Sequence, residues 1–354
     1  MTETASRWLL YGANGYTGEL IAREAVARGM RPVLAGRSKD RIVALAKELG
    51  CPHAVFSVDD DTSMVSAMAG ASAVLNCAGP FSSTAAPIMQ ACLASHIHYL
   101  DITGEIEVFE LARRVDEKAQ RSGIVLCPGV GFDVVPTDCL AAQLKAALPD
   151  ATHLVLGFDA VGSPSAGTAK TAVEGLKLGG RVRRDGRLVE VPLAHATRRI
   201  DFGEGERLGV LIPWGDVSTA YFSTGIPNIE VFMGASPQAV QQMKRANSLR
   251  SILSQRPVQA LLKYFIGRRV RGPDRTQRET NPTFVWGEVR NAAGTTRTGR
   301  VRTANGYAVT VQAALGILTR LISEPVDSGY VTPSLLMGAD YVNRLPGSSN
   351  TRID

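Results

Sequence analysis

The run with the most chemical content in this 354-residue chain is Tyr11-Gly12-Ala13-Asn14-Gly15-Tyr16-Thr17-Gly18. Its glycines follow the apolar run Trp8-Leu9-Leu10-Tyr11 and open a segment with helical character from Thr17 to Arg28. Gly12 permits a tight turn, Gly15 lets backbone approach a pyrophosphate, and Gly18 lets helix and strand pack closely. The N-terminus of the helix adds free N–H groups and a partial positive charge for phosphates. Asn14, Tyr16 and Thr17 share this loop and join the glycines as cofactor-binding candidates. The spacing is G-x-x-G-x-x-G rather than G-x-G-x-x-G, a variant common among NADP-linked reductases.

The end of the second strand-like segment decides between the two dinucleotides. An NAD site places Asp or Glu there to accept from the ribose 2′-hydroxyl, whereas this chain has Gly36-Arg37-Ser38. Arg37 cannot accept, but it can donate a charge-assisted fork to a 2′-phosphate, worth roughly 1.5–3 kcal/mol. Ser38 is either a second donor or the cap of the following helix, and NADP(H) is the expected cofactor. Asp59, after the third strand, is either an acceptor for the adenine amine or a solvated turn acid. Asn76-Cys77-Ala78-Gly79-Pro80-Phe81 follows the fourth strand. Its Asn76, Ala78, Gly79 and Pro80 suit a loop lying against the cofactor, and Cys77 reads as a packing residue rather than a nucleophile.

The familiar catalytic motifs are missing. No tyrosine has a lysine four residues on, and H-E-x-x-H, G-x-S-x-G and the Walker lysine are all absent. The five histidines show no metal spacing, and the cysteines come with no general-base histidine by motif. Two stretches remain at the correct strand ends, His98-Tyr99-Leu100-Asp101-Ile102-Thr103-Gly104-Glu105 and Pro128 to Asp138. Hydride addition to a conjugated bond creates negative charge that a donor must meet, and Tyr99 and Asp133 are the candidates. The alternatives are that Tyr99 is a core aromatic and that Asp133 bonds amides of its own glycine loop. Asp138 is expected to cap the helix carrying Leu140, Leu144 and Leu148.

The elements that position these residues form an α/β pattern. Through residue 127, six strand-like runs alternate with helical ones, the fourth of these reading Pro87 to Ser95, which demands crossovers and a doubly wound parallel sheet, a Rossmann fold. The expected division is a NADP(H)-binding domain at 1–148, a mixed α/β domain rich in β-sheet at 149–305, and closing helices at 306–354 that return to the first domain. Turn dipeptides such as Asp185-Gly186 and Ser163-Pro164 punctuate the middle segment, and Gln238 to Tyr264 is helical. With 45% hydrophobic and 20% charged residues, the chain is neither disordered nor collagenous. Nothing approaches the ~18–20 consecutive apolar residues of a membrane span. The polar Met1 to Arg7 run suggests no cleavable signal, and five cysteines without a C-x-x-C pair suggest neither a disulfide framework nor a zinc site. The expected location is cytoplasmic, peripheral at a membrane in one reading.

The net charge of +6 sits entirely between Arg268 and Arg302, where nine arginines oppose Asp274, Glu279 and Glu288. A local cluster points to one anionic ligand, one surface or a solvated strand face, and away from nucleic acid. Gln259 to Arg271 sets Leu261, Leu262, Tyr264, Phe265 and Ile266 among basic residues. That is either an ordinary packed helix with a solvated loop, or a surface for an anionic membrane or an acyl-carrier partner.

Taken together, the glycine loop with Tyr16-Thr17, Leu34 to Ser38, Asn76 to Phe81, His98 to Asp101 and Gly131-Phe132-Asp133 resemble the saccharopine dehydrogenase-like oxidoreductases. Gly272-Pro273-Asp274, Trp286-Gly287-Glu288, Gly306 to Thr310 and Gly329 to Pro333 are similar to the branch containing trans-acting enoyl reductases. The resemblance implies an NADP(H) domain followed by a mixed α/β domain that forms homodimers and closes over the nicotinamide. It implies a small-molecule substrate and a reductase acting on a polarised C=C bond. An amino-acid dehydrogenase or imine reductase, with Lys170, Lys177 and the 268–302 cluster meeting carboxylates, stays open, as does a non-catalytic NADP(H)-binding protein.

Overall fold

The computed structural model describes residues 7–160, 169, 173, 179–253, 255–269, 272, 276 and 280–354, and only the backbone of 256, 263 and 267–269. The chain divides into two compact units, Met1–Phe132 with Thr310–Leu336, and Asp133–Val309 with Met337–Asp354.

In the first unit, strands β1 (Trp8–Tyr11), β2 (Val33–Gly36), β3 (His53–Val55), β4 (Ala73–Asn76), β5 (His98–Asp101) and β6 (Val125–Cys127) alternate with helices. These are α1 (Tyr16–Ala27), α2 (Lys39–Leu49), α3 (Asp61–Met68), α4 (Phe81–Ser95), α5 (Ile106–Arg114) and α6 (Asp116–Arg121). The strands pair in parallel in the order β6-β5-β4-β1-β2-β3. β1, β2 and β4 are buried at every position, which is why they read as continuous apolar runs rather than alternating ones. The chain winds one way from β1 through β2 and the other way through β4, so a crevice opens at the carboxyl ends where the direction reverses.

A further strand, Gly329–Tyr330, extends this sheet by pairing in parallel with β6, its register held by Tyr330 N–H donating to Asp116 Oδ1 at 2.7 Å. The C-terminal stretch thus supplies a seventh strand that the six-strand count lacked. Helix α4 begins at Phe81, earlier than Pro87 suggests, and holds that proline in its interior. There the ring removes the donor that would reach the Ser83 carbonyl and crowds that carbonyl.

In the second unit, α7 (Val135–Ala147) lies against strands β13 (Thr283–Asn291) and β14 (Thr296–Thr303). A Cβ on Gly287 would stand 2.7 Å from Leu144 Cδ1, and one on Gly299 2.7 Å from Leu140 Cδ1. The helix therefore packs with the second unit, and the chain divides after Phe132 rather than at 148. β7 (Ala151–Ala160) runs parallel to β12 (Asn228–Gly234) and antiparallel to β13. Thr197–Asp201 (β10) and Glu206–Leu211 (β11) continue the sheet beyond β12, and Arg352–Ile353 continues it beyond β14. The hairpin Gly180–Arg184 (β8) and Arg187–Val191 (β9) turns at Asp185-Gly186, both with positive φ as a two-residue type I′ turn requires. One sheet face buries Val182, Ile200, Phe202, Leu211, Phe232 and Trp286, while Gly287, next in the strand, faces α7.

Among the described residues, one helix, Gly306–Ser323, is long and apolar enough to cross a membrane, and half of it is buried inside the protein. Ser163-Pro164, Lys170, Lys177, Asp274, Glu279 and the arginines at 271, 275 and 278 lie outside the described residues, as do the side chains of Arg268 and Arg269. In the described remainder of the basic cluster, Arg290, Arg300 and Arg302 share one face of the β13–β14 ladder and Arg297 lies on the other; Arg290, Arg297 and Arg302 are exposed and Arg300 pairs with Asp201 and Asp354.

Candidate cofactor and active site

The glycine loop is built by close backbone contact. Gly12 takes φ +79°, and a Cβ there would lie 2.7 Å from Ala78 N and 2.8 Å from the Cys77 carbonyl carbon. The β1–α1 and β4–α4 loops therefore touch through their backbones. A Cβ on Gly18 would run into the Gly12 carbonyl oxygen, so α1 can approach β1 only with glycine there. Gly15 is exposed at the N-cap of α1, where the first N–H groups of the helix lack intrahelical partners. Asn14 lies over Gly36, and its carbonyl accepts from Arg41 at 2.6 Å. Arg41 carries no motif and was invisible in the sequence. Tyr16 and Thr17 begin α1, both half-buried.

Arg37, exposed at the end of β2, and Asp59, exposed beyond β3, both act on the Tyr11 hydroxyl. Burial raises the Tyr11 pKa, Arg37 lowers it and Asp59 raises it. The two charges thus converge on one end of the crevice, where the adenosine part of a dinucleotide would lie. Ser57 donates to Asp59 at 3.0 Å. Ser38 occupies the N-cap of α2 without a side-chain cap bond. This cradle and its cation fit a 2′-phosphorylated dinucleotide: α1 would hold the pyrophosphate and Arg37 the extra phosphate.

Further along the crevice, a buried polar network joins β4, β5 and β6. Asn76 is fully buried; its amide nitrogen donates to Thr84 Oγ1 at 3.1 Å and its oxygen accepts from Ala78 N–H at 3.0 Å. Thr84 donates to the Ala78 carbonyl at 2.7 Å, so the Ala78-Gly79-Pro80 loop is held from both sides. The Tyr99 hydroxyl donates to Asp101 Oδ2 at 2.7 Å, and Asp101 Oδ1 accepts from Thr103 N–H and Gly129 N–H. Burial lifts the Asp101 pKa to about 6 against these hydrogen bonds. Glu105 spans the start of α4, accepting from Phe81 N–H at 2.8 Å and Ser82 N–H at 2.7 Å. That carboxylate occupies the anion position at α4, leaving α1 as the helix end suited to phosphate.

Tyr99 is fully buried with its proton committed to Asp101, and burial raises its pKa well above the ordinary value. This corrects its reading as a donor to substrate; its place is in positioning Asp101. Asp101 is not among the candidates named from the sequence. The signal existed, since Tyr99 and Asp101 are two apart on one strand and so share a face. Tyr99→Phe is expected to cost roughly 1–3 kcal/mol of stability, as Asp101 loses a buried donor. Turnover per folded molecule should hold in that variant; a collapse in turnover at unchanged melting temperature would restore Tyr99 to the chemistry.

Burial raises the thiol pKa of Cys77 and Cys92, and that of Cys139, so these stay protonated and unsuited to thioester chemistry. His98 accepts from Val125 N–H at 2.9 Å and serves the sheet. Two separated motifs meet at Thr310, whose hydroxyl accepts from Phe132 N–H at 3.0 Å and whose methyl would lie 2.9 Å from a Cβ on Gly131.

In the second unit, Asp133 is half-buried, and its backbone carbonyl accepts from Trp214 Nε1 at 2.8 Å. Asp138 does not cap its helix. The helix starts earlier, at Val135, and puts Asp138 within its first turn, fully buried and accepting from Ser223 at 2.7 Å. Asp216 is also fully buried, and neither carboxyl oxygen has a hydrogen-bond partner among the described residues; the nearby Thr137 hydroxyl donates to the Val134 carbonyl. Burial, and then the charges of Asp138 and Asp133, raise the Asp216 pKa well above the ordinary carboxylate value. An acid raised on folding ionises first in the unfolded chain, so stability falls as pH climbs above the unfolded value near 3.9. Asp216→Asn cannot ionise and is expected to melt several degrees higher than the parent at pH 8 and level with it near pH 4. Equal melting at both pH values would mean that Asp216 is ionised and compensated.

The sequence matches to known proteins fall on part of the chain, the family model within the first unit. Residues 8–127 match the model of the saccharopine dehydrogenase NADP binding domain. That segment is a saccharopine dehydrogenase NADP-binding domain. Its cofactor is NADP(H), in keeping with Arg37 at the end of β2. The bovine saccharopine dehydrogenase-like oxidoreductase is 27% identical over 150 residues, which cover 37% of this chain and 35% of that protein. A Mycobacterium tuberculosis protein named as a trans-acting enoyl reductase is 33% identical over 140 residues, covering 37% and 33%. The matched segment is thus about a third of the length of these relatives. Apo saccharopine dehydrogenase (L-Glu forming) from Saccharomyces cerevisiae superposes with a TM-score of 0.63 over 99% of this chain and 100% of that one, at 11% identity. That likeness establishes the α/β fold through the second unit, while the NADP-binding domain rests on sequence as well.

Proposed function

We propose that the chain is an NADPH-dependent oxidoreductase that reduces a polarised C=C bond, an enoyl thioester or a related lipid or polyketide intermediate. The observation that carries the reading is the phosphate cradle at α1 with Arg37 beside it, in a domain whose relatives include one named as an enoyl reductase. NADPH, when bound, supplies the hydride. The residues of the chain do the rest. The Asn76–Thr84–Ala78 bonds hold the Ala78-Gly79-Pro80 loop in shape, and Asp101 ties β5 to the Gly129 turn.

With Tyr99 committed to Asp101, Asp133 is the remaining candidate for orienting a proton donor. If it acts in the transition state, Asp133→Asn lowers kcat strongly while NADPH affinity and melting temperature hold. Loss of stability with turnover per folded molecule intact would make it structural. A second reading, reduction of a C=N bond, is favoured by the half-buried Asp133, because a carboxylate there suits an iminium or amine.

NADPH oxidation followed against 2-enoyl thioesters and cyclic imines separates the readings. Turnover of the thioesters supports the first, turnover of imines alone the second. Tight NADPH binding with neither turned over would point to a non-catalytic NADP(H)-binding protein.

A further inference from the structure

The described residues leave nine large hydrophobic side chains exposed, and five of them fall between Leu249 and Phe265. Leu249 and Ile252 are each 52% exposed, and Leu261, Tyr264 and Phe265 are 56%, 53% and 45% exposed. They sit on the helices Arg250–Leu253 and Arg256–Arg269 and the residue just before them. Leu261, Tyr264 and Phe265 stand at i, i+3 and i+4, hence on one side of their helix. The two aromatic rings meet edge to face, with centroids 5.8 Å apart. Scattered exposed apolar residues are ordinary, but a concentration of this kind on one short segment marks an interaction surface.

The charge of this stretch of sequence is equally one-sided. From Pro237 to Gly272 the sequence carries eight Lys and Arg residues and no Asp or Glu. Lys244 and Arg245 are exposed just ahead of the apolar run. Arg250 is paired with Glu190 at 2.6 Å, so it contributes less. Lys263, Arg268, Arg269 and Arg271 follow within or after the run.

We propose that this segment docks the protein on the surface of a membrane containing anionic lipid. The apolar side enters the boundary between headgroups and acyl chains, and Lys244 and Arg245 meet lipid phosphates and carboxylates. Tyr264 suits that boundary, having an apolar ring and a polar tip. An acidic protein would satisfy the charge but leave less reason for leucine, isoleucine and phenylalanine side chains to stand in water. The proposal does not rest on the reductase reading.

The test is co-sedimentation of the full chain with phosphatidylserine–phosphatidylcholine vesicles and with phosphatidylcholine vesicles. Binding is expected on the first at low salt, at least ten-fold weaker on the second, and weaker again near 1 M salt, where the screening length shrinks to about 3 Å. Leu261→Asp with Phe265→Asp, and separately Lys244→Glu with Arg245→Glu, are each expected to weaken vesicle binding at least ten-fold. All four side chains are exposed, so melting temperature and NADPH affinity should stay at parent values. Vesicle binding that is absent, or unchanged in both variants, would overturn the proposal. So would capture by an acidic acyl-carrier protein, or self-association through this face, without vesicle binding.

Discussion

Replacing Arg37 with alanine is expected to erase most of the preference for NADPH over NADH, a change of roughly ten- to a hundred-fold in relative affinity. The magnitude is that of one charge-assisted fork to a phosphate that only NADPH carries. Arg37 is exposed at the end of β2 and forms no ion pair among the described residues, so its removal leaves no buried group stranded. NADH affinity should therefore change little. Arg41→Ala is the informative contrast. Arg41 holds the Asn14 carbonyl and with it the shape of the glycine loop, so its loss should weaken both cofactors alike. Fluorescence titration of both nucleotides against both variants resolves this. If Arg37→Ala weakened the two equally, the 2′-phosphate would be read by some other group.

Gly12→Val is expected to abolish measurable binding of either cofactor and to lower the melting temperature. Two costs add at this position. The backbone lies at φ +79°, where an L side chain is strained, and a Cβ would press on Ala78 N and the Cys77 carbonyl carbon, both main chain. Neither can rotate away, so the β4–α4 loop must shift. Gly29 separates the two costs, since it has the same φ of +79° but open space where a Cβ would go. Gly29→Ala should cost roughly 1 kcal/mol of stability from strain and leave cofactor binding untouched. Binding retained in Gly12→Val would mean that the contact between the two loops is not part of the cofactor site.

What could be read from the sequence was what repeats or what has one chemical explanation. The alternation of apolar runs and helical periods declared the parallel sheet, and the glycine spacing with Arg37 declared the cofactor. Gly329–Tyr330 escaped because two residues have no period, and the strand exists only through pairing with β6. The helix carrying Leu140 and Leu144 could have covered either sheet; it was Gly287 and Gly299, remote in sequence, that made room for it. Pro87 looked like a helix start because proline is favoured there, yet the turns before it were already helical.

The polar groups of the site were the hardest to assign. Tyr99 was visible as a hydroxyl at a strand end, but only burial and the Asp101 contact show where its proton goes. Glu105 reaches Phe81 and Ser82 across the fold, a bond with no local signature. Asp138 fitted a cap by spacing, whereas the helix had begun at Val135.

Residues 8–127 match an NADP-binding domain, and Arg37 is the group expected to recognise the 2′-phosphate. Calorimetric titration of the unmodified chain with NADPH and NADH, side by side and at one salt concentration, tests this most directly. NADPH should bind at least ten-fold more tightly. Equal affinities, or binding of neither, would contradict it.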